Sequence, residues 1–171
     1  MTRIACACGA VRLEATGAPM VSLFCHCTSC RTAGQGFDAR SGGPPIVDAA
    51  GGTAMTLWRK DRVRCVAGCD RLEVHRLTPG SPTRRMVASC CRTPMFADFT
   101  KGFWLTVFRD RVADAPAPSL RVMTGDVPDG TALPRDGLPH RRGHSGGLML
   151  KLLTTWAMMG FRRPRVAGLA D

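Results

Sequence analysis

Three cysteines lie within six positions of the segment CHCTSCR, residues 25–31. Two more, Cys6 and Cys8, precede this segment in CACGAVRLEATG. Thiolate sulfur is a preferred ligand of zinc. The sequence has nine cysteines, an odd number that could not all pair within one chain. We therefore favour metal or thiol chemistry over a framework of disulfide bonds.

The spacing within CHCTSCR predicts three sulfurs on one metal ion. Alternate side chains of a strand share a face, so Cys25 and Cys27 point to one side and His26 to the other. Cys30 can join them from the first turn of a helix. His26 is the alternative fourth ligand, but strand alternation disfavours it. Structural zinc sites take four protein ligands, whereas a catalytic site keeps one position for water or substrate. We expect a reactive site.

Cys6 and Cys8 are also spaced to share a strand face, and they need partners from elsewhere in the chain. Cys90 and Cys91, in VASCCRTPMF, would complete a closed site of four thiolates. Adjacent residues of a regular strand face opposite ways, so both can bind only if the backbone turns there. The Arg-Thr-Pro that follows, residues 92–94, favours such a turn.

Cys65 and Cys69, in CVAGC, are the competing partners for Cys6 and Cys8. Free cysteine behaves as a small hydrophobic residue and is often buried. We favour that interpretation for both, and the fourth ligand of the Cys6/Cys8 site stays open between Cys90 and this pair.

The motifs CACGAVRLEATG, FCHCTSCRTAGQG and CCRTPMF, in this order over roughly residues 3–110, resemble the glutathione-dependent formaldehyde-activating enzyme family. That family also includes the centromere protein V type of domain. The resemblance implies a two-zinc β-tent fold and carbon–sulfur lyase activity on S-hydroxymethylglutathione. It also implies a structural zinc on Cys6, Cys8 and the late cysteines, and a reactive zinc on the three cysteines of CHCTSC.

One motif departs from the family pattern. The late motif of the family is Cys-x-x-Cys-Gly-Thr-Pro, and aligning Cys91 with its second cysteine puts Ala88 at the first and Arg92 at the glycine. Cys90 replaces the missing ligand by a local shift, as in a divergent subgroup with Cys-Cys-x-Thr-Pro. The fold therefore transfers better than the activity.

The enzyme hypothesis is that the three-thiolate zinc takes a small thiol, such as glutathione, as its fourth ligand beside an aldehyde carbon. Arg31 could hold a carboxylate of the substrate, or it could be a solvated helix residue. Two hypotheses from other classes are a non-catalytic binding module stapled by zinc and a redox sensor that loses zinc on oxidation.

The elements that position these residues are mainly strands. From residue 2 to about residue 112, short apolar or alternating runs are broken by Gly, Pro, Asp and Ser, and CTSCRTAG is a short helix candidate. This pattern predicts one zinc domain over residues 1–112 and a Pro/Gly-rich connector over 113–143. The predicted strands are RIACAC, AVRLEA, MVSLFCHC, AMTLWR, RLEVHRL, TRRMVAS and FWLTVF.

Residues 144–171 predict an amphipathic helix with a basic tail. Ser145 can cap the helix and Gly160 can end it, while Leu148, Leu152, Trp156 and Met159 fall on one face. A helix with such a wide apolar face would expose too much apolar surface to water without a partner. We expect it to dock on its own β-domain or to pair with a second copy as a homodimer, rather than to lie on a membrane.

The formal net charge is +11, from 24 Lys and Arg against 13 acidic residues. Thiolate-bound zinc sites are anionic and would offset part of it. Aromatic residues make up 6% and Tyr is absent, which disfavours base stacking, so no nucleic acid is expected. The start of the chain lacks a signal-peptide pattern, and no run approaches the ~20 apolar residues of a membrane span. These features predict a cytoplasmic protein.

Overall fold

The computed structural model describes residues 1–40 and 45–169, and its architecture is mainly β with two α-helices, as the sequence predicts. Runs rich in apolar and β-branched residues form the strands. The strands are β1 (Thr2–Ala5), β2 (Arg12–Ala15), β3 (Val21–Cys25), β4 (Thr53–Arg59), β5 (Val63–Ala67), β6 (Leu72–His75), β7 (Thr83–Ala88), β8 (Thr93–Phe99), β9 (Trp104–Phe108) and β10 (Arg121–Val122), and the helices are α1 (Thr28–Asp38) and α2 (Gly146–Met158).

The described strands form two sheets. One has three strands in the order β1-β2-β5, and the other has seven in the order β10-β3-β4-β9-β8-β7-β6. Paired neighbours are antiparallel except β10, which runs parallel to β3. Strands β5, β8 and β10 are additional to those predicted.

A core lies between the two sheets. Trp58 of β4 is 1% exposed and packs in one cluster with Ile4 and Leu13 of the smaller sheet. The Trp58 indole N–H donates to the Thr56 hydroxyl at 2.9 Å, which satisfies its polar group. Met55 and Leu57 belong to a different cluster, on the other face. Because side chains alternate along a strand, β4 contributes side chains to two hydrophobic cores, one on each face.

Helix α1 covers part of the outer face of the larger sheet. Ala33 and Phe37 pack with Ile46 and Phe108. The Phe37 ring also meets the His75 ring edge-on, with centroids 5.1 Å apart. The helix is longer than the predicted CTSCRTAG because Phe37 anchors a further turn on the sheet.

Helix α2 docks on the β-domain, one of the two arrangements predicted for it. The Ser145 hydroxyl accepts a hydrogen bond from the Leu148 N–H at 3.0 Å, which is the predicted cap. Trp156 stacks on Phe103 of the domain, with centroids 6.1 Å apart and rings 6° from parallel. Leu148 and Leu152 of the helix, and Met159 at its C-cap, are buried in the shared core.

The segment between the predicted zinc domain and α2 contributes β10 to the larger sheet. Val122 of β10 is 1% exposed and belongs to the same core as α2. The division into residues 1–112, 113–143 and 144–171 stays a prediction.

Candidate metal centres

The first candidate centre, the four-cysteine cluster, joins two distant turns. Cys6 and Cys8 follow β1, and Cys90 and Cys91 lie in the turn between β7 and β8. Their four sulfur atoms all lie within 4.8 Å of one another. The structure thus brings together the four residues proposed from the sequence as the closed site, across a separation of 84 positions between Cys6 and Cys90.

The sulfur spacing fits a tetrahedral metal site. The Sγ atom of Cys8 lies 3.5 Å from that of Cys6 and 3.4 Å from that of Cys90. The Cys6–Cys90 and Cys90–Cys91 sulfur distances are 3.9 and 3.8 Å. Ligands at ~2.3 Å from a zinc ion, arranged as a tetrahedron, lie about 3.8 Å apart. The donor set and its spacing therefore suit zinc.

The backbone turns where the two adjacent cysteines require it. Arg92 has φ 54°, in the left-handed region that a non-glycine residue rarely adopts. Thr93 then ties the two turns together, because its hydroxyl lies 3.0 Å from the Cys91 sulfur and accepts the Ala7 N–H at 3.2 Å. The expected turn is present at this place.

The second candidate centre, the three-cysteine cluster, is local. Cys25 ends β3, Cys27 caps α1 and Cys30 lies in the first turn of that helix. Their sulfur atoms lie within 4.8 Å of one another, and in the described part of the chain the group contains these three residues alone. The Cys27 sulfur accepts the Cys30 N–H at 3.3 Å. A helix N-terminus stabilises negative charge, so this position favours thiolate.

Hydrogen bonds among the three cysteines decide which sulfur carries the charge. Bonds with Cys25 and Cys30 lower the pKa of Cys27 to about 2. The bond to Cys27 raises the pKa of Cys25 to about 12, and bonds with both other cysteines raise the pKa of Cys30. Cys27 is therefore the sulfur of this cluster that most readily takes the thiolate form, in which cysteine binds metal.

His26 points away from the sulfurs, as strand alternation predicts. It is 0% exposed, and its Nε2 lies 3.1 Å from Nη1 of Arg121. A guanidinium only donates, so Nε2 accepts and Nδ1 carries the proton that it donates to the Ala50 carbonyl at 3.3 Å. Burial lowers the pKa of His26, so the ring stays neutral. Its contacts join the ligand strand to the loop before β4 and to β10.

Arg31 is held by the backbone. Its Nη1 donates to the carbonyl oxygens of His26 at 3.2 Å and Asp126 at 2.8 Å. Asp126 also accepts the Thr28 N–H at the start of α1, at 3.1 Å. These contacts favour a positioning role for Arg31, and its contact with a substrate stays a prediction. Sequence reasoning missed Asp126, because 95 positions separate it from Arg31.

Cys65 and Cys69 correct the sequence analysis. They form a disulfide bond with a Cα–Cα distance of 6.0 Å, so they are neither ligands for Cys6 and Cys8 nor two separate buried thiols. Gly68 makes this closure possible, because its φ of 63° is left-handed and lets the chain reverse within five residues. The expectation that the cysteines would not form disulfides is wrong for this pair.

A pocket of about 240 Å³ lies beside the far end of α1, and Phe37 forms part of its wall. His75 in its wall pairs across the sheet with Arg85 of β7. The wall mixes apolar and charged side chains, and the three clustered cysteines are not part of it. Its lining residues are Phe37, Arg40, Glu73, Val74, His75, Val87, Ser89 and Arg92.

The fold and the two clusters define a mainly β protein with two groups of cysteines that could each hold a metal ion. Residues 1–42 match the family model of the glutathione-dependent formaldehyde-activating enzyme. This match includes Cys6, Cys8 and the whole three-cysteine cluster, and it confirms the resemblance inferred from the motifs.

A crystal structure of a Rhodobacter sphaeroides protein is similar to this chain at 16% identity, with a TM-score of 0.46. The similarity covers 82% of this chain and 99% of the other. Among curated proteins, no sequence matches the chain significantly. Within residues 1–40 and 45–169, no helix has the length and apolar character needed to cross a bilayer.

Proposed function

We propose that this protein is a zinc-dependent carbon–sulfur lyase that acts on adducts of glutathione, or a similar small thiol, with an aldehyde. In the direction of breakdown, the carbon–sulfur bond of a hydroxymethyl thioether breaks and the hydroxyl proton ends on sulfur, which releases thiol and aldehyde. The match of residues 1–42 to the family model supports the proposal.

The observation that carries the proposal is the difference between the two clusters. One gathers four sulfurs and the other gathers three, within the described residues. A site with four protein ligands is closed, whereas a site with three keeps a position for an exogenous ligand. The three-cysteine cluster is therefore the candidate reaction centre, and the four-cysteine cluster is the candidate structural centre.

Zinc held by Cys25, Cys27 and Cys30 would supply a binding position that favours the thiolate form of a substrate thiol at neutral pH. The chain prepares this site in two ways. The first turn of α1 directs the Cys30 N–H at the Cys27 sulfur. Arg31 and Asp126 fix the start of α1, so that the helix and β3 present their sulfurs to one point.

The pocket beside α1 supports an anionic substrate. Arg40 and Arg92 contribute guanidinium groups to its wall, beside one acidic group, Glu73. Glutathione carries two carboxylates, and guanidinium groups bind carboxylates in bidentate geometry.

The test compares two cysteine variants in a reaction followed by NMR, with formaldehyde and glutathione as reactants. The rate enhancement over the uncatalysed reaction should fall at least 100-fold in zinc-loaded Cys27→Ser, because this variant lacks one of the three candidate ligands. The double variant Cys65→Ser/Cys69→Ser removes cysteines outside both clusters and should keep the rate within threefold. Unchanged turnover in Cys27→Ser would refute the proposal that this cluster is the reaction centre of an enzyme.

The alternatives give different outcomes in the same material. A non-catalytic binding module held together by zinc would show no turnover even in the unmodified protein with both metals bound. A thiol-based redox sensor would release the more labile zinc when treated with stoichiometric peroxide and would recover it on reduction.

A homodimer through α2 is proposed as well, and the outward face of the helix supports it. Leu150, Leu153 and Met158 are 61%, 54% and 84% exposed, although the opposite face is docked. Apolar side chains grouped in this way mark interaction surfaces. The predicted cytoplasmic location rests on the sequence alone.

A further inference from the structure

Arg85 of β7 is a buried cation without a carboxylate partner. It is 4% exposed, and none of the ion pairs among the described residues includes it. Its neighbour Arg84, by contrast, pairs with Asp98 at 2.6 Å on the opposite face of the strand. Buried charges are almost always paired, because desolvation without compensation is costly. An anionic group near Arg85 would compensate this cost, and no Asp or Glu among the described residues supplies one.

The position of Arg85 identifies that counter-charge. Its Nη2 donates to the hydroxyl of Ser29 at 2.7 Å and to the Ser29 carbonyl at 3.3 Å. Ser29 lies between Cys27 and Cys30 in the turn that carries the sulfurs. The other terminal nitrogen, Nη1, is buried and has no hydrogen-bond partner among the described residues. The guanidinium thus lies beside the three-cysteine cluster with one nitrogen uncommitted.

The electrostatics agree with this placement. Burial lowers the pKa of Arg85, and the sulfurs of Cys30 and Cys27 act in the opposite direction. Three thiolates around a divalent ion leave a net charge of about −1, and an added thiolate ligand makes it about −2. A fixed positive charge at this place would offset the negative charge of the site both without and with the added thiolate ligand.

We propose that Arg85 is a positioning residue for the three-cysteine site, supplying the positive charge that lets the three thiolates and an anionic fourth ligand share one metal ion. The fourth ligand belongs to the class of small thiols bound as thiolates. That part of the inference rests on the proposed function, whereas the retention of metal by Arg85 does not. Residues behind the ligands commonly change metal affinity by 10–100-fold.

Two substitutions separate the charge of Arg85 from its hydrogen bond. Arg85→Lys keeps the charge and loses the forked geometry, and Arg85→Gln keeps a donor for Ser29 and loses the charge. Arg84→Gln is the matched control, because it removes the same charge from the adjacent position on the other face. Each full-length protein is loaded with zinc, and a chromogenic chelator reports the release of the more labile ion.

We expect release at least tenfold faster from Arg85→Gln than from the unmodified protein, and within threefold of it from Arg85→Lys and Arg84→Gln. The reverse order, with Lys fast and Gln slow, would show that only the hydrogen bond matters and would overturn the proposal. Equal rates in Arg85→Gln and Arg84→Gln would overturn it too. Should Arg85→Gln not fold, Arg85→Lys decides, because tenfold faster release despite a retained charge contradicts the inference.

Cobalt(II)-loaded protein then tests the fourth ligand. Glutathione is added, and the sulfur-to-cobalt absorption band reports its binding. The affinity should fall at least tenfold in Arg85→Gln and stay within threefold in Arg84→Gln, and equal losses in the two variants would refute the assignment to an anionic thiol. If glutathione leaves the spectrum of the unmodified protein unchanged, the proposed function fails, while the chelator experiment still decides the role of Arg85 in holding the metal.

Discussion

His26 lies between two candidate ligands and yet serves to position them. Its ring lies between Arg121 and the Ala50 carbonyl, and Arg121 also pairs with Asp48 at 2.9 Å. One buried imidazole therefore fixes β3 relative to two other segments of the chain. A three-ligand site depends on the direction of each sulfur. A displacement of His26 would therefore change the geometry with which Cys25 and Cys27 could hold a metal ion.

A substitution at Gly52 tests how tightly the His26 ring is held. A Cβ at this residue would lie 2.6 Å from Cε1 and 2.8 Å from Nε2 of His26. The imidazole is held on both sides, so Gly52→Ala should displace it and destabilise the protein by about 1–3 kcal/mol. Urea unfolding, followed by fluorescence, measures the change as a lower midpoint.

Gly80→Ala is the control, because a Cβ there meets nothing within 4 Å. It should change the free energy of unfolding, obtained from the urea midpoint, by less than about 0.5 kcal/mol. If the two variants unfold at the same urea concentration, the imidazole is not held as tightly as its contacts indicate.

At the level of residues, sequence reasoning succeeded where the relevant spacing is local. The turn geometry of Cys25, Cys27 and Cys30 follows from strand alternation and one helical turn, and their sulfurs do come together. Arg85 gave no such signal, because Ser29 lies 56 positions away. The Cys65–Cys69 disulfide was missed for a different reason, since an odd number of cysteines does not exclude one disulfide and composition does not reveal the left-handed turn at Gly68.

Among the elements, α2 offers two adjacent leucines in opposite environments. Leu152 is 7% exposed in the core shared with the β-domain, and Leu153 is 54% exposed. Leu152→Ala should destabilise the protein by about 2–5 kcal/mol, because a buried leucine leaves a cavity. Leu153→Ala should change the stability of the monomer by less than about 0.5 kcal/mol. Thermal and urea unfolding of the two variants measure the difference.

A charged substitution at the exposed leucine tests the homodimer. If the outward face pairs with a second copy, Leu153→Asp should sediment as a monomer at concentrations where the unmodified protein is a dimer. Deletion of residues 145–171 should expose the core beneath the helix and lower solubility, with both metals retained. Co-flotation of the full-length chain with anionic liposomes would instead favour a membrane surface as the partner of α2.

Prediction of the elements worked where apolar periodicity is strong and failed where strands are short or unusual. Strand β8 begins at Thr93 and contains Pro94, a residue that argues against a strand interior. Strand β10 has two residues, and its pairing with β3 depends on a chain separation of about a hundred positions that no local pattern records. Helix α2, by contrast, shows its cap and its apolar face directly in the sequence.

At the scale of the whole molecule, the two clusters differ in what they join. The four-cysteine cluster links a turn of the three-stranded sheet to a turn of the seven-stranded sheet. The three-cysteine cluster spans six positions of one segment. Closing a long loop removes more chain entropy than closing a short one, so a metal ion in the first cluster would contribute more to the stability of the fold.

We therefore predict two zinc ions of unequal lability. A weak chelator should remove one ion readily from the three-cysteine cluster, because a site with an open position exchanges ligands more easily than a closed one. Metal analysis of the desalted protein should fall from two equivalents to one while the far-ultraviolet circular dichroism stays unchanged. Release of both ions at one rate would contradict the division into a structural and a reactive centre.

Two single substitutions distinguish the roles of the two clusters. Cys6→Ser removes a ligand from the cluster that joins the sheets, and because zinc binding there is part of the folding free energy, the protein should unfold or precipitate. Cys27→Ser removes a ligand from the local cluster and should leave a folded protein with one zinc, stable enough for a cooperative unfolding transition. Circular dichroism and metal analysis measure both results on the same samples. If Cys27→Ser unfolds the protein as completely as Cys6→Ser does, the three-cysteine cluster is also structural, and the reaction centre must be sought elsewhere on the molecule.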